Sequence, residues 1–139
     1  MANDMYVSRL KFEIAEIKLG QVITIDGIPM KGTDRISFNL GKSEEDYALH
    51  FDIRFTYSEM KTVIMNSLVD GQFGDEVKTT DFPFEYGQLT KIAIHYYQDR
   101  FQIQVPDGYV YVFPNRCPDW KLSFLEVIGG FKIISFSIQ

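Results

Sequence analysis

Tyr47-Ala48-Leu49-His50-Phe51-Asp52-Ile53-Arg54-Phe55 alternates apolar and polar side chains with a period of two, the pattern of a strand with one face on a core. Leu49, Phe51, Ile53 and Phe55 share one face. His50, Asp52 and Arg54 share the other, where successive side chains stand about 6–7 Å apart. The neighbouring sequence repeats the pattern: residues 21–25, 35–40, 62–68, 89–97, 100–105, 109–113, 123–127 and 131–138 also read as strands. Turn signals separate them at Asp26-Gly27, Lys31-Gly32-Thr33-Asp34, Asp70-Gly71, Pro106-Asp107-Gly108 and Gly129-Gly130, residues that supply the dihedrals turns require. No helical period survives, and only residues 58–60 suggest a short turn outside the strands. About nine or more strands at roughly 8–12-residue spacing predict an all-β antiparallel sandwich or barrel.

Composition is consistent with one globular domain over residues 1–139, with 45% hydrophobic and 24% charged residues and no linker or repeat. A chain of this length buries enough surface to fold without disulfides or structural metal. Its 12 Phe and 8 Tyr suit pleated, half-buried surfaces. The net charge of -5 opposes unspecific binding to nucleic acid or anionic lipid. Cys117 has no partner in the chain, which points to a reducing compartment such as the cytosol and to an inert thiol. Residues 1–17 interleave charges with apolar positions, so no classical secretion signal is expected. No apolar run is long enough for a membrane span.

The polar face of the 47–55 strand offers hydrogen-bonding groups in a row. Taken alone, it reads as a solvated strand face with Asp52 and Arg54 paired at the surface. Downstream, Asn66 ends an apolar strand, Phe73 sits between Gly71 and Gly74, and Glu76 and Lys78 share a face if that segment is extended. A sugar presents donor-acceptor hydroxyls and an apolar C–H face, and so calls for planar polar side chains beside an aromatic platform.

These residues resemble the galectins, β-galactoside-binding lectins built as a jelly-roll sandwich of two antiparallel sheets. The resemblance spans nearly the whole chain. Leu49-His50-Phe51-Asp52-Ile53-Arg54-Phe55 stands for the family's H-x-N-x-R signature, Ile64-Met65-Asn66-Ser67 for V-x-N, and Phe73-Gly74-Asp75-Glu76-Val77-Lys78 for W-G-x-E-x-R. Phe38-Asn39-Leu40-Gly41, Phe82-Pro83-Phe84, Pro106-Asp107-Gly108 and Phe113-Pro114-Asn115-Arg116 complete an ordered set. Each piece is weak alone; the set at compatible spacing is specific. The resemblance implies that His50 and Arg54 bond the axial 4-hydroxyl region of galactose, that Asn66 and Glu76 bond its 6-hydroxyl, and that Arg54 and Glu76 reach the next sugar.

Three positions depart from the pattern: Asp52 replaces Asn, Phe73 replaces Trp and Lys78 replaces Arg. An ionised carboxylate cannot donate, so a hydroxyl meeting Asp52 must turn donor, unless Arg54 holds Asp52 instead. On the first reading Asp52→Asn strengthens galactoside binding. Phe73 keeps an aromatic face of smaller area, and Lys78 keeps charge without the guanidinium fork. The expected function is a β-galactoside lectin, for ligands like lactose or N-acetyllactosamine, with weakened or shifted specificity. The alternative is a galectin-fold structural or protein-interaction subunit that has lost sugar binding.

Enzyme chemistry is not expected: Asp52 and Glu76, with basic neighbours Arg54 and Lys78, read as a binding network rather than a glycosidase pair. No cofactor or metal is expected either. His50 and His95 are far apart in sequence and a single cysteine makes no ligand cluster. The resemblance further implies a homodimer through the terminal segments 7–12 and 131–138, with glycans or glycoproteins as partners. It leaves open both cytoplasmic residence and export to the extracellular space without a signal peptide.

Overall fold

Residues 124–138 form one strand of 15 residues where the sequence reading has two. A computed structural model describes residues 6–57 and 60–139, with side chains from Arg9 onward; the turn expected at 58–60 falls on Ser58 and Glu59, outside the described residues. The strands are β1 (Tyr6–Glu13), β2 (Val22–Pro29), β3 (Arg35–Ser43), β4 (Asp46–Arg54), β5 (Thr62–Val69), β6 (Gln72–Phe73), β7 (Val77–Thr79), β8 (Thr90–Tyr96), β9 (Arg100–Gln104), β10 (Val110–Pro114) and β11 (Phe124–Ile138). A single 3-10 turn, Pro106–Gly108, is the helical content of the described residues.

Every pairing is antiparallel, and β11 belongs to both layers. Its residues 124–129 pair with β3, and 124–132 pair with β1. Residues 131–138 pair with β2. One layer therefore runs β1-β11-β3-β4-β5 and ends in β6 and β7; the other runs β11-β2-β8-β9-β10. This is the expected jelly-roll sandwich.

Gly129-Gly130 is thus a bend inside a strand and not a turn between strands. Gly129 has φ +108°, and a Cβ there would lie 2.2 Å from the Arg35 carbonyl oxygen, so only glycine fits. Asp26-Gly27 is likewise no turn: β2 runs straight through it. A Cβ on Gly27 would lie 2.4 Å from the Phe131 ring and 2.6 Å from the Lys132 carbonyl oxygen, the close approach that glycine in a strand often marks. Asp70-Gly71 does turn the chain. Both have positive φ, +51° and +77°, and they join the paired residues Val69 and Gln72 as a two-residue hairpin.

The core lies between the layers. Phe38, Leu40, Leu49, Phe51, Ile53 and Met65 meet Ile23, Ile25, Ile92, Ile94, Phe101 and Ile103 in one buried cluster. Phe51 reaches across to Tyr111 with ring centroids 5.3 Å apart, edge to face. The inward set of β4 is the one its alternation predicts, which leaves His50, Asp52 and Arg54 on the outer face of their layer.

Gly27→Ala tests the close approach at Phe131. We expect it to destabilise the fold by roughly 1–3 kcal/mol, the range for overpacking a tight core, measured by urea unfolding; an unchanged midpoint overturns this account of Gly27.

Candidate functional site

The outer face of β4 is flanked by polar positions on β3 and β5. Register sets Asn39 and Asn66 beside His50, Ser37 and Ile64 beside Asp52, and Arg35 beside Arg54. A groove of about 460 Å³ opens over them, lined by Arg35, His50, Arg54, Ile64, Asn66, Phe73, Gly74, Asp75 and Glu76. Five of the seven residues expected from sequence line it: His50, Arg54, Asn66, Phe73 and Glu76. A larger concavity of about 690 Å³ lies between Lys61, Phe82 and Pro106, but it holds none of the seven. Chemistry rather than size selects the smaller groove.

Asp52 lies beneath the groove with no exposed surface. Its Oδ1 accepts from Ser37 Oγ at 2.5 Å and its Oδ2 from Arg54 Nε at 2.7 Å. Arg35 Nη1 stands 3.7 Å from the same Oδ2. A buried carboxylate is tolerated when cations and hydrogen bonds surround it, and this one also fixes both guanidiniums. The two cations share the Tyr57 ring as well, at 4.5 Å for Arg35 and 5.0 Å for Arg54.

His50 is buried and its Nδ1 lies 2.6 Å from Asn39 Oδ1. Burial pushes its pKa down to about 4, against the pull of Asp52 and Glu126 and with the help of Arg35 and Arg54. The ring is neutral at neutral pH.

Asn66 anchors the loop over the groove. Its Nδ2 donates to the Gly74 carbonyl at 2.9 Å, and its Oδ1 accepts from the Ser67 backbone N–H at 2.7 Å and Arg116 Nη1 at 3.1 Å. Arg116 Nη2 donates to the Asp75 carbonyl at 2.7 Å. Phe73, 57% exposed, stands with its ring 5.1 Å from that of His50, a free aromatic face over the polar floor. Glu76 is exposed beside it. Lys78, exposed on β7, is not among the lining residues. Among the described residues no ion pair joins it to Glu76.

Sequence reasoning missed Arg35, Ile64 and Asp75 in the lining, and Asn39, Glu126 and Arg116 as supports. Arg35, Ser37 and Asn39 were findable, since they form the polar face of an alternating strand. Arg116 stood in the Phe113-Pro114-Asn115-Arg116 stretch, but nothing local pointed to its role, because its partners lie about forty to fifty residues away in the chain. Cys117 is buried, and burial raises its thiol pKa, as suits an inert residue. Among the described residues no group of three or more His, Cys, Asp or Glu could hold a metal ion, and no helix is long and apolar enough to cross a membrane.

A family model for galactoside-binding lectins matches residues 10–138. Human Galectin-2 is 34% identical over 130 residues, 94% of this chain and 96% of its own length. The β-galactoside-binding lectin of Electrophorus electricus is 36% identical over 128 residues, 91% and 95% of the two chains. Among solved structures, chicken Galectin 2 superposes with a TM-score of 0.86 at 32% identity, covering 93% of this chain and 97% of its own. CG-16, a homodimeric agglutinin from chicken liver, gives 0.88 at 30% identity, with 94% and 99% covered.

Burial of neutral His50 gives stability a pH dependence. The folded residue titrates at about 4 and an unfolded histidine near about 6.5. Between these values the unfolded chain binds more protons, so unfolding free energy falls as pH falls through the window. Glu126 stays charged there, because hydrogen bonds from Tyr47, Arg9 and Asn39 outweigh the effect of its burial and hold its pKa low. We expect urea unfolding to show a loss of roughly 2–3 kcal/mol between about pH 7 and about pH 4.5, much reduced in His50→Gln; equal slopes in both proteins overturn the assignment.

Proposed function

The chain belongs to the galactoside-binding lectin family, the galectins, and on that premise we propose that the groove over β4 binds β-galactosides of the lactose or N-acetyllactosamine kind. The observation that carries the reading is the convergence of His50, Arg54, Asn66, Phe73 and Glu76, from β4, β5, β6 and the loop after β6, in one groove. His50 and Arg54 take the axial 4-hydroxyl, Asn66 and Glu76 the 6-hydroxyl, and Phe73 stacks on the sugar's C–H face. The family is one of lectins and not of enzymes. Asp52, with no exposed surface, is not available to pair with Glu76 in acid-base hydrolysis.

Specificity is weakened or shifted relative to the family pattern. Phe73 supplies a smaller platform than an indole, and Lys78, which lacks the guanidinium fork, lies outside the groove lining. Asp52 acts through Arg54 and Arg35 rather than by touching the sugar, since it has no exposed surface. That reverses the expectation for Asp52→Asn: an amide removes the counter-charge shared by two guanidiniums and loosens Arg54.

The test is an NMR titration with lactose and, in parallel, mannose. We expect lactose to shift His50, Arg54, Asn66 and Glu76, and Asp52→Asn to bind roughly tenfold more weakly, about 1.4 kcal/mol. Silence with both sugars favours a scaffold that has lost sugar binding. Tighter binding by Asp52→Asn sinks the holding role.

We also infer a homodimer through the terminal strands. Among the described residues no strand pairs with the far side of 133–138, and Ile134 and Phe136 are exposed there; such edges invite pairing. A dimer sets two sugar sites apart and gains avidity on branched glycans. Sedimentation should give about twice 16.1 kDa and Ile134→Lys the monomer; a monomeric wild type removes the dimer. We infer residence in a reducing compartment such as the cytosol, supported by the free, buried thiol of Cys117.

A further inference from the structure

A relay of polar side chains runs beneath the groove, across three strands, and ends on His50. Glu126 on β11 is fully buried. Its Oε2 accepts from Arg9 Nε at 2.8 Å, and its Oε1 accepts from the Tyr47 hydroxyl at 2.6 Å and Asn39 Nδ2 at 3.0 Å. The other end of the Asn39 amide, Oδ1, faces His50 Nδ1 at 2.6 Å.

We propose that Glu126 is a positioning residue that sets the tautomer of His50 through Asn39, and so selects a ligand hydroxyl that donates to His50. The inference rests on the lectin reading for its ligand, though not for its first step. An ionised carboxylate only accepts hydrogen bonds. Asn39 must therefore turn its amide nitrogen to Glu126 and its oxygen to His50. Facing an oxygen, Nδ1 of the neutral ring carries the proton. Nε2 is left as a lone-pair acceptor for the groove.

Arg54 stands four residues on, the second position along the same face, and its Nε is committed to Asp52. Its terminal N–H groups donate only. An acceptor and a donor lining one groove match a hydroxyl that donates to His50 and accepts from Arg54. An ether or carbonyl oxygen at the same place meets the Nε2 lone pair with one of its own. Glu126 thus discriminates a free hydroxyl from a substituted one without touching either.

Glu126→Gln tests the relay by its chemistry. Arg9 is a donor only, so the glutamine oxygen must face it and the glutamine NH2 must face Tyr47 and Asn39. Asn39 then reverses, its nitrogen turns to His50, and the proton moves to Nε2. The ligand hydroxyl loses its acceptor. Adding Asn39→Asp restores an oxygen to both neighbours and returns the proton to Nδ1.

The experiment is nitrogen-15 NMR of the imidazoles in the sugar-free protein, followed by lactose titration. The chain has two histidines, His50 and His95, so one His95 variant assigns both. We expect protonated Nδ1 in the wild type and protonated Nε2 in Glu126→Gln, with lactose binding weakened about tenfold. The double variant should recover both. A wild-type His50 protonated at Nε2 overturns the proposal even if Glu126→Gln does not fold. So does a Glu126→Gln protein that keeps both tautomer and affinity. Failure of lactose to bind the wild type refutes the lectin reading and leaves the tautomer result standing on its own.

Discussion

One strand serves two sheets, and the position of the groove follows from how it bends. β11 can leave β3 and join β2 only if its backbone passes close to Arg35, where a Cβ at Gly129 would lie 2.2 Å from a carbonyl oxygen. The bend brings Phe131 against Phe38, with ring centroids 5.3 Å apart, and closes the two layers on a shared core. It also brings the first half of β11 beside β3. Glu126, Asn39 and His50 then line up across three neighbouring strands, although Glu126 and Asn39 are 87 residues apart in sequence.

With the backbone so fixed, the floor beneath the groove becomes a problem of buried polarity. Ser37, Asn39, Asp52 and Glu126 are all enclosed, where an unmet hydrogen bond costs about 1–3 kcal/mol. Among the described residues no buried side-chain nitrogen or oxygen lacks a partner. Two carboxylates organise this floor in different ways. Asp52 gathers Ser37, Arg35 and Arg54, fixing the cationic end; Glu126 gathers Arg9, Tyr47 and Asn39, fixing the neutral imidazole. Satisfied networks of this kind rigidify what rests on them, so the donors and acceptors of the groove are held in place.

How much of this was legible in the sequence depended on whether the signal was local. Alternation in the 47–55 strand settled which of its side chains face the core, because period two is a property of one strand. The spacing of turn residues gave the all-β class but misread Gly129-Gly130 and Asp26-Gly27. Glycine serves turns and close packing alike, and only the position of Phe131 separates the two uses. The five groove residues were legible through their motifs. Arg35 was visible as part of a polar strand face, but its place beside Arg54 needed the register of β3 on β4. Glu126 and Arg116 act across distances that no local pattern spans, and the enclosure of Asp52 was open to either reading until Ser37 and Arg35 were placed around it.

The enclosure changes what the Asp for Asn exchange means. On an open strand face a carboxylate would confront the ligand with a charge and two acceptors, and affinity would depend on turning a sugar hydroxyl around. Beneath two arginines and a serine, its oxygens are already occupied and its charge is compensated by groups that themselves line the groove. The carboxylate therefore holds Arg54 through its Nε and lies beside Arg35, two guanidiniums that line the groove above it. Two guanidiniums, Arg35 and Arg54, thus line the groove beside the carboxylates Asp75 and Glu76, in a chain whose net charge is -5. The chemistry of the groove is set by which carboxylates lie beneath it, and not by the overall balance of charge.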